Sequence, residues 1–153
     1  MDHNDIDSLA ESATVAAYKE RVERLDAGTA PQWGRMTAAQ MLAHCTETFE
    51  VACGKPLEGT PWYVKLFKGM IRKMVVSDKP YPRSTRTHPQ YLQTVERDFQ
   101  AEKTRILAAM DRFTQACQTN EYLEHPLFGP MTTDEAGRAM AKHLNHHLQQ
   151  FGA

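Results

Sequence analysis

Cysteine is scarce in this chain, and the three it has, Cys45, Cys53 and Cys117, show no CxxC spacing. An odd set lying inside apolar helical patterns argues against a disulfide framework and predicts reduced core thiols. Cys45 follows His44 directly, but adjacent helix positions point about 100° apart, so the pair does not suit a shared metal. Long apolar runs are missing as well, which excludes a bilayer-crossing helix of about 20 residues. Excess charge of either sign is absent: 18 basic against 19 acidic residues give a net charge of −1 and no field to hold nucleic acid. The opening MDHNDIDSLAES is acidic and polar where a secretory signal is basic and then apolar, so a cytoplasmic protein without a membrane partner is expected. There is no GxSxG elbow, no P-loop and no GxGxxG motif. HExxH is absent too, because Leu144 follows His143. Alternating runs of useful strand length, internal repeats and low-complexity tracts are likewise lacking.

What is present is helical periodicity. With 153 residues and 41% hydrophobic content, the expectation is one domain over residues 1–153, weakly ordered at 1–7. A Ser-x-x-Glu box at Ser8 and Glu11 opens a first helix to Leu25, ended by Gly28 and Pro31. Thr37 and Gln40 cap a second, from Ala38 to about Ala52, stopped by Gly54. Thr60-Pro61 opens a shorter helix through Val76, with Tyr63, Phe67, Met70 and Met74 on one face and Lys65, Lys68 and Arg72 on the other. Apolar and basic faces together suit a membrane surface or a partner. The simpler reading is a helix covering one end of a bundle with its basic side in water. Ser77 to Pro89, with three prolines, is a loop that gathers Lys79, Arg83 and Arg86; it reads as solvated, or as a holder for an acidic part of a substrate. Tyr91 to Cys117 is read as the longest helix, with Leu92 and Val95 in its core pattern. A loop through Pro130 leads to the final helix, capped from Thr132 to Glu135. The expected fold is all-α, an up-and-down-type four-helix bundle with an additional short helix.

On the final helix, Ala136, Met140, His143, His147 and Phe151 recur at spacings of four, three, four and four. Two histidines therefore occupy core positions. Buried imidazoles need partners for their ring nitrogens, and a divalent cation satisfies two that are one turn apart. His44, mid-way along the second helix, can complete a three-histidine set from a facing element. Three neutral imidazoles leave a metal its full charge and an open position, the arrangement that activates a bound water or thiol. Core histidines satisfied by ordinary hydrogen bonds are the competing reading. Glu47, three residues past His44, is a candidate proton acceptor or an exposed helix carboxylate. His146, His125 and Gln150 are candidates for the pocket or for orienting the ligands. His146, three residues from His143, is an alternative to His147 as a ligand but points away from the Met140–Phe151 line, and His125 is more simply read as a structural loop residue.

Three segments, WGRMTAAQMLAHC at Trp33–Cys45, HPLFGPMT at His125–Thr132 and KHLNHHLQQFG at Lys142–Gly152, carry a resemblance to the DinB/YfiT-like superfamily, particularly a bacterial branch of it. The resemblance covers the chain from about residue 10 onward. It implies that His44, His143 and His147 bind a divalent metal, zinc or nickel first among the choices. It further implies thiol S-transferase chemistry with a low-molecular-weight thiol, and a homodimer. Fold-family kinship does not fix a reaction. The leading expectation is a metal-dependent enzyme, thiol transferase or hydrolase, acting on a small molecule. The alternatives are a non-catalytic metal- or ligand-binding module, and a helical interaction protein using the Trp62–Val76 face.

Overall fold

A computed structural model describes residues 7–153. The weakly ordered start expected at residues 1–7 thus lies, except for Asp7, outside the described residues. Six α-helices follow in chain order: α1 (Ser12–Glu23), α2 (Ala38–Ala52), α3 (Trp62–Leu66), α4 (Lys68–Val76), α5 (Phe99–Thr119) and α6 (Thr133–Gln150). A two-stranded hairpin, β1 (Tyr122–His125) and β2 (Gly129–Thr132), sits between α5 and α6. The fold is all-α apart from this hairpin.

α2 packs along α5, which also carries α1, while α6 lies against both α2 and α5. The shared core contains Leu42, Phe49, Ile106, Phe113, Leu144 and Leu148, all at or near zero exposure. Phe49 and Phe113 meet edge to face with centroids 5.5 Å apart. Burying side chains of this size contributes about 1.5–3 kcal/mol each, which is what fixes the helices against one another. Capping boxes start both site-bearing helices: Thr37 with Gln40 on α2, and Thr132 with Glu135 on α6. Each is worth about 1 kcal/mol and sets the helical register from which the histidines project.

Four sequence expectations are corrected. The first helix begins at Ser12, and the Ser8–Glu11 capping box does not form. Instead, Leu9 N donates to Gly137 O at 3.1 Å and Thr114 Oγ1 donates to Leu9 O at 2.9 Å, so tertiary bonds pin the turn at residues 8–11, closed by Glu11 N on Ser8 O, against α5 and α6. The longest helix begins at Phe99, eight residues later than periodicity indicated, with Asp98 accepting from Ala101 N as its cap. Pro89–Tyr91 is a single 3₁₀ turn, and Leu92 and Val95 are 57% and 58% exposed, so the two apolar side chains that extended the helical pattern do not reach the core. The stretch before α6 is a hairpin rather than a loop, pairing Leu123 with Met131 on its buried face. Its strands have four residues each, too few for alternation to stand out among Pro126, Gly129 and Pro130. Finally, the Trp62–Val76 segment divides at Phe67 into α3 and α4, and its apolar face is turned outward.

Candidate metal centre

α2 and α6 each bring histidine to one point. His44 is buried near the middle of α2, and His143 and His147 lie one turn apart on α6. One ring nitrogen from each of the three lies within 4.8 Å of the others. The ring centroids are separated by 4.6 Å (His44–His147), 4.8 Å (His143–His147) and 5.0 Å (His44–His143). These are the three residues that helical spacing selects.

The hydrogen bonds around the cluster set its tautomers. Gln150 Nε2 donates to Trp33 O at 2.8 Å, an acceptor only, so the amide oxygen of Gln150 must face His147. His147 Nδ1 therefore donates to that oxygen at 2.8 Å, and its Nε2 carries a bare lone pair. His44 Nδ1 donates to Tyr91 O at 2.9 Å, with the same consequence for its Nε2. The Thr48 hydroxyl donates to Cys45 O at 2.7 Å and leaves a lone pair facing His143 Nδ1 at 3.5 Å. Nε2 of His44 and of His143 stand 3.1 Å apart.

This donor set fits a divalent metal. Zinc–imidazole bonds of about 2.0–2.1 Å put neighbouring ligand nitrogens roughly 2.9–3.4 Å apart for angles between right and tetrahedral. The observed 3.1 Å falls inside that range. Orientation of a ligand ring through its other nitrogen, onto a carbonyl or amide oxygen, is the usual support of a histidine metal site. Burial also holds all three rings neutral, as coordination requires. It lowers His44, lowers His143 far below the ordinary histidine value with help from His147 and His44, and brings His147 down to about 3.

The other candidates take distinct places. His146 is half-buried at the rim, its ring edge-on to Trp33 at 5.8 Å and to Tyr81 at 6.0 Å. Gln150 is the support of His147, as described. Glu47 is bound by Lys55 Nζ at 2.8 Å and by Gln90 Nε2 at 2.9 Å, and none of its hydrogen bonds reaches the three imidazoles. Its bond to Gln90 steadies the 3₁₀ turn Pro89–Tyr91, whose Tyr91 carbonyl anchors His44. His125 belongs to its own hairpin: Nδ1 accepts from Leu127 N and Phe128 N, and the ring stacks on Phe128 at 4.5 Å. Cys45 is buried beside Met41, and desolvation pushes its thiol up, in keeping with a small core residue. Cys117 is likewise held as a thiol, at about 12.

Sequence reasoning missed Tyr91, Trp33, Thr48 and Tyr81 as parts of the site. The first two act through backbone carbonyls, for which side-chain identity gives no signal. Tyr81 and Arg83 bring the proline-rich loop over the rim: Tyr81 lies 6.3 Å from His143, and the Arg83 guanidinium sits 4.1 Å above the Trp33 ring. Lys142 ties the same loop to α6. Its Nζ donates to Met74 O and Ser77 O, both at 2.7 Å, and lies 4.4 Å from the Tyr81 ring centre.

A helical chain with three inward imidazoles supplied by two of its helices defines a class of metal-binding helical protein. The chain belongs to the DinB superfamily, whose sequence profile matches residues 4–151. No curated protein and no solved structure matches it at a significant level. Family and histidine cluster agree on a metal-binding protein of the DinB type.

Proposed function

We propose that this protein is a metal-dependent enzyme that acts on a small molecule, as a thiol S-transferase or a hydrolase, with zinc or nickel held by His44, His143 and His147. The observation that carries the proposal is the convergence of three neutral imidazoles, two of them locked in the Nδ1–H tautomer by Tyr91 O and Gln150 Oε1. Among the described residues the cluster has three ligating members, a number that leaves a position for an exchangeable molecule.

A bound metal would supply Lewis acidity, lowering the pKa of a water or thiol toward neutrality. The chain's own contribution is orientation and exclusion of solvent. Tyr91 and Gln150 fix two rings, Thr48 faces the third, and Trp33, Tyr81 and His146 line the approach. Arg83, stacked on Trp33, places a fixed cation at that approach, which suits a substrate or thiol bearing an acidic group. Glu47 is proposed as a positioning residue working through Gln90.

Metal analysis and an activity screen on the untagged protein test the reading together. The expected result is about one equivalent of divalent metal, lost in His44→Ala and His147→Ala. Consumption of a low-molecular-weight thiol against electrophiles, or ester or amide hydrolysis, is expected to depend on that metal. Stoichiometric metal with no metal-dependent turnover of either kind would reassign the site to a non-catalytic module; wild type and variants equally metal-free would remove the metal reading altogether.

A further inference from the structure

The α3–α4 segment offers a second functional surface, remote in character from the histidine cluster. Neither helix contains a buried residue. Trp62, Leu66 and Met70, spaced one turn apart, are 76%, 67% and 63% exposed, and Tyr63, Phe67 and Met74 extend the same outward face. Val64, Ile71, Val75 and Val76 are only half-buried on the inner side. The segment is moored by the Arg72–Glu135 ion pair at 3.0 Å and by Lys142 on the carbonyls of Met74 in α4 and of Ser77 just beyond it. An outward apolar stripe of this size on helices that are otherwise held in place calls for an occupant.

Charge identifies the occupant. From Gly59 to Ser77 the chain carries Lys65, Lys68, Arg72 and Lys73 and no carboxylate. Among the described residues Lys65, Lys68 and Lys73 make no ion pair. A second copy meeting this face about a two-fold axis would set the same three lysines against one another. An anionic surface would neutralise them. The pocket beside the ridge is bordered by Lys65 and Lys68 together with Leu57, Pro126 and Leu127, and the exposed Trp62, Leu66, Phe67 and Met70 stand outside it. A lipid interface needs no pocket, because its headgroup region accepts Trp and Tyr rings while Leu and Met reach the acyl boundary.

We propose that the α3–α4 ridge docks reversibly on an anionic lipid bilayer, with Trp62, Leu66, Phe67 and Met70 in the interface and Lys65, Lys68 and Lys73 on the headgroups. Binding is peripheral, since no described helix is long and apolar enough to cross a membrane. The ridge runs directly into the loop whose Tyr81 and Arg83 border the histidines, so docking would hold that loop beside the lipid surface.

Co-sedimentation of the full chain with phosphatidylcholine vesicles, with and without about one third phosphatidylglycerol, tests this. The expected result is at least about 10-fold tighter binding to the anionic vesicles, weakened by salt. Trp62 emission should shift to the blue on binding, identified by its loss in Trp62→Phe. Leu66→Gln/Met70→Gln should abolish partitioning, and Lys65→Gln/Lys68→Gln/Lys73→Gln should erase the preference for anionic lipid. Both variants change exposed side chains, and unchanged circular dichroism and metal content verify that the fold is intact. Failure of the wild type to bind anionic vesicles, or binding that neither variant weakens, would overturn the proposal. A dimer that Leu66→Gln dissociates, with vesicles left unbound, would overturn it in favour of a second copy.

Discussion

Gln150 lies so close to Gly34 that a Cβ on residue 34 would stand 2.6 Å from the Gln150 amide nitrogen. Gly34 also has φ +83°, a left-handed conformation that side chains resist. The glycine therefore serves the histidine cluster: it lets the Gln150 amide reach Trp33 O with one end and His147 with the other.

Gly34→Ala is accordingly expected to displace Gln150 and release His147 from its fixed tautomer. Metal affinity should fall about 10- to 100-fold, as in other sites stripped of an orienting partner. Gln150→Ala should match it, while His147→Ala abolishes binding. Competitive titration against a fluorescent chelator measures all three. Wild-type affinity in Gly34→Ala would show that the close approach is incidental.

Metal should stabilise the folded chain, because the three imidazoles converge only in the folded state. With free zinc at about 100 times its dissociation constant, the gain is about 2.7 kcal/mol. Thermal melts should show a zinc-dependent rise in wild type and none in His143→Ala. An equal rise in the variant would place the bound ion elsewhere.

The metal-free protein should lose stability as the pH falls below about 6.5. Burial holds His147 at about 3 and His125 at about 4, so between those values and 6.5 the unfolded chain takes up protons that the folded chain refuses. The sign follows from linkage: the state binding more protons gains as pH drops, and here that is the unfolded state. Each such histidine contributes a slope of up to about 1.4 kcal/mol per pH unit. Urea unfolding between pH 7 and 5 should show this decline, and His125→Asn should make it shallower. Parallel curves for wild type and variant would refute the assignment for His125.

Gly137→Ala should destabilise the protein without touching the histidines. A Cβ there would lie 2.2 Å from Ser8 Oγ and 2.9 Å from the backbone nitrogen of Ala10. The hydroxyl can rotate away, but the backbone cannot without unseating buried Leu9. A loss of about 1–3 kcal/mol in denaturant unfolding is expected, with metal affinity unchanged. A neutral substitution would show that residues 8–10 adapt freely.

Legibility varied along the chain for identifiable reasons. The cap at Thr37 and the α2 boundaries agree with the sequence reading because the capping box and the stop at Gly54 are local chemistry. The same type of signal misled at Ser8, where bonds to Gly137 and Thr114 outweighed a local cap. Periodicity over-extended α5 because Leu92 and Val95 repeat at helical spacing while facing solvent. For α3 and α4 amphipathicity identified the two faces but not which one turns inward, and the simpler reading, apolar side covered, was the wrong one.

By itself the sequence determined which residues share a helical face, because spacing along a helix of fixed geometry is arithmetic: His143 and His147 had to project together, and His44 had to sit mid-way along a capped helix. Only the tertiary structure decided that the three imidazoles meet, which nitrogen of His44 and His147 is bare, and that Trp33 and Tyr91 hold them through backbone carbonyls. Those outcomes depend on how α2 packs against α6 and on where residues 89–98 leave the helical path, and packing of distant segments is settled by the whole core rather than by any local run of residues.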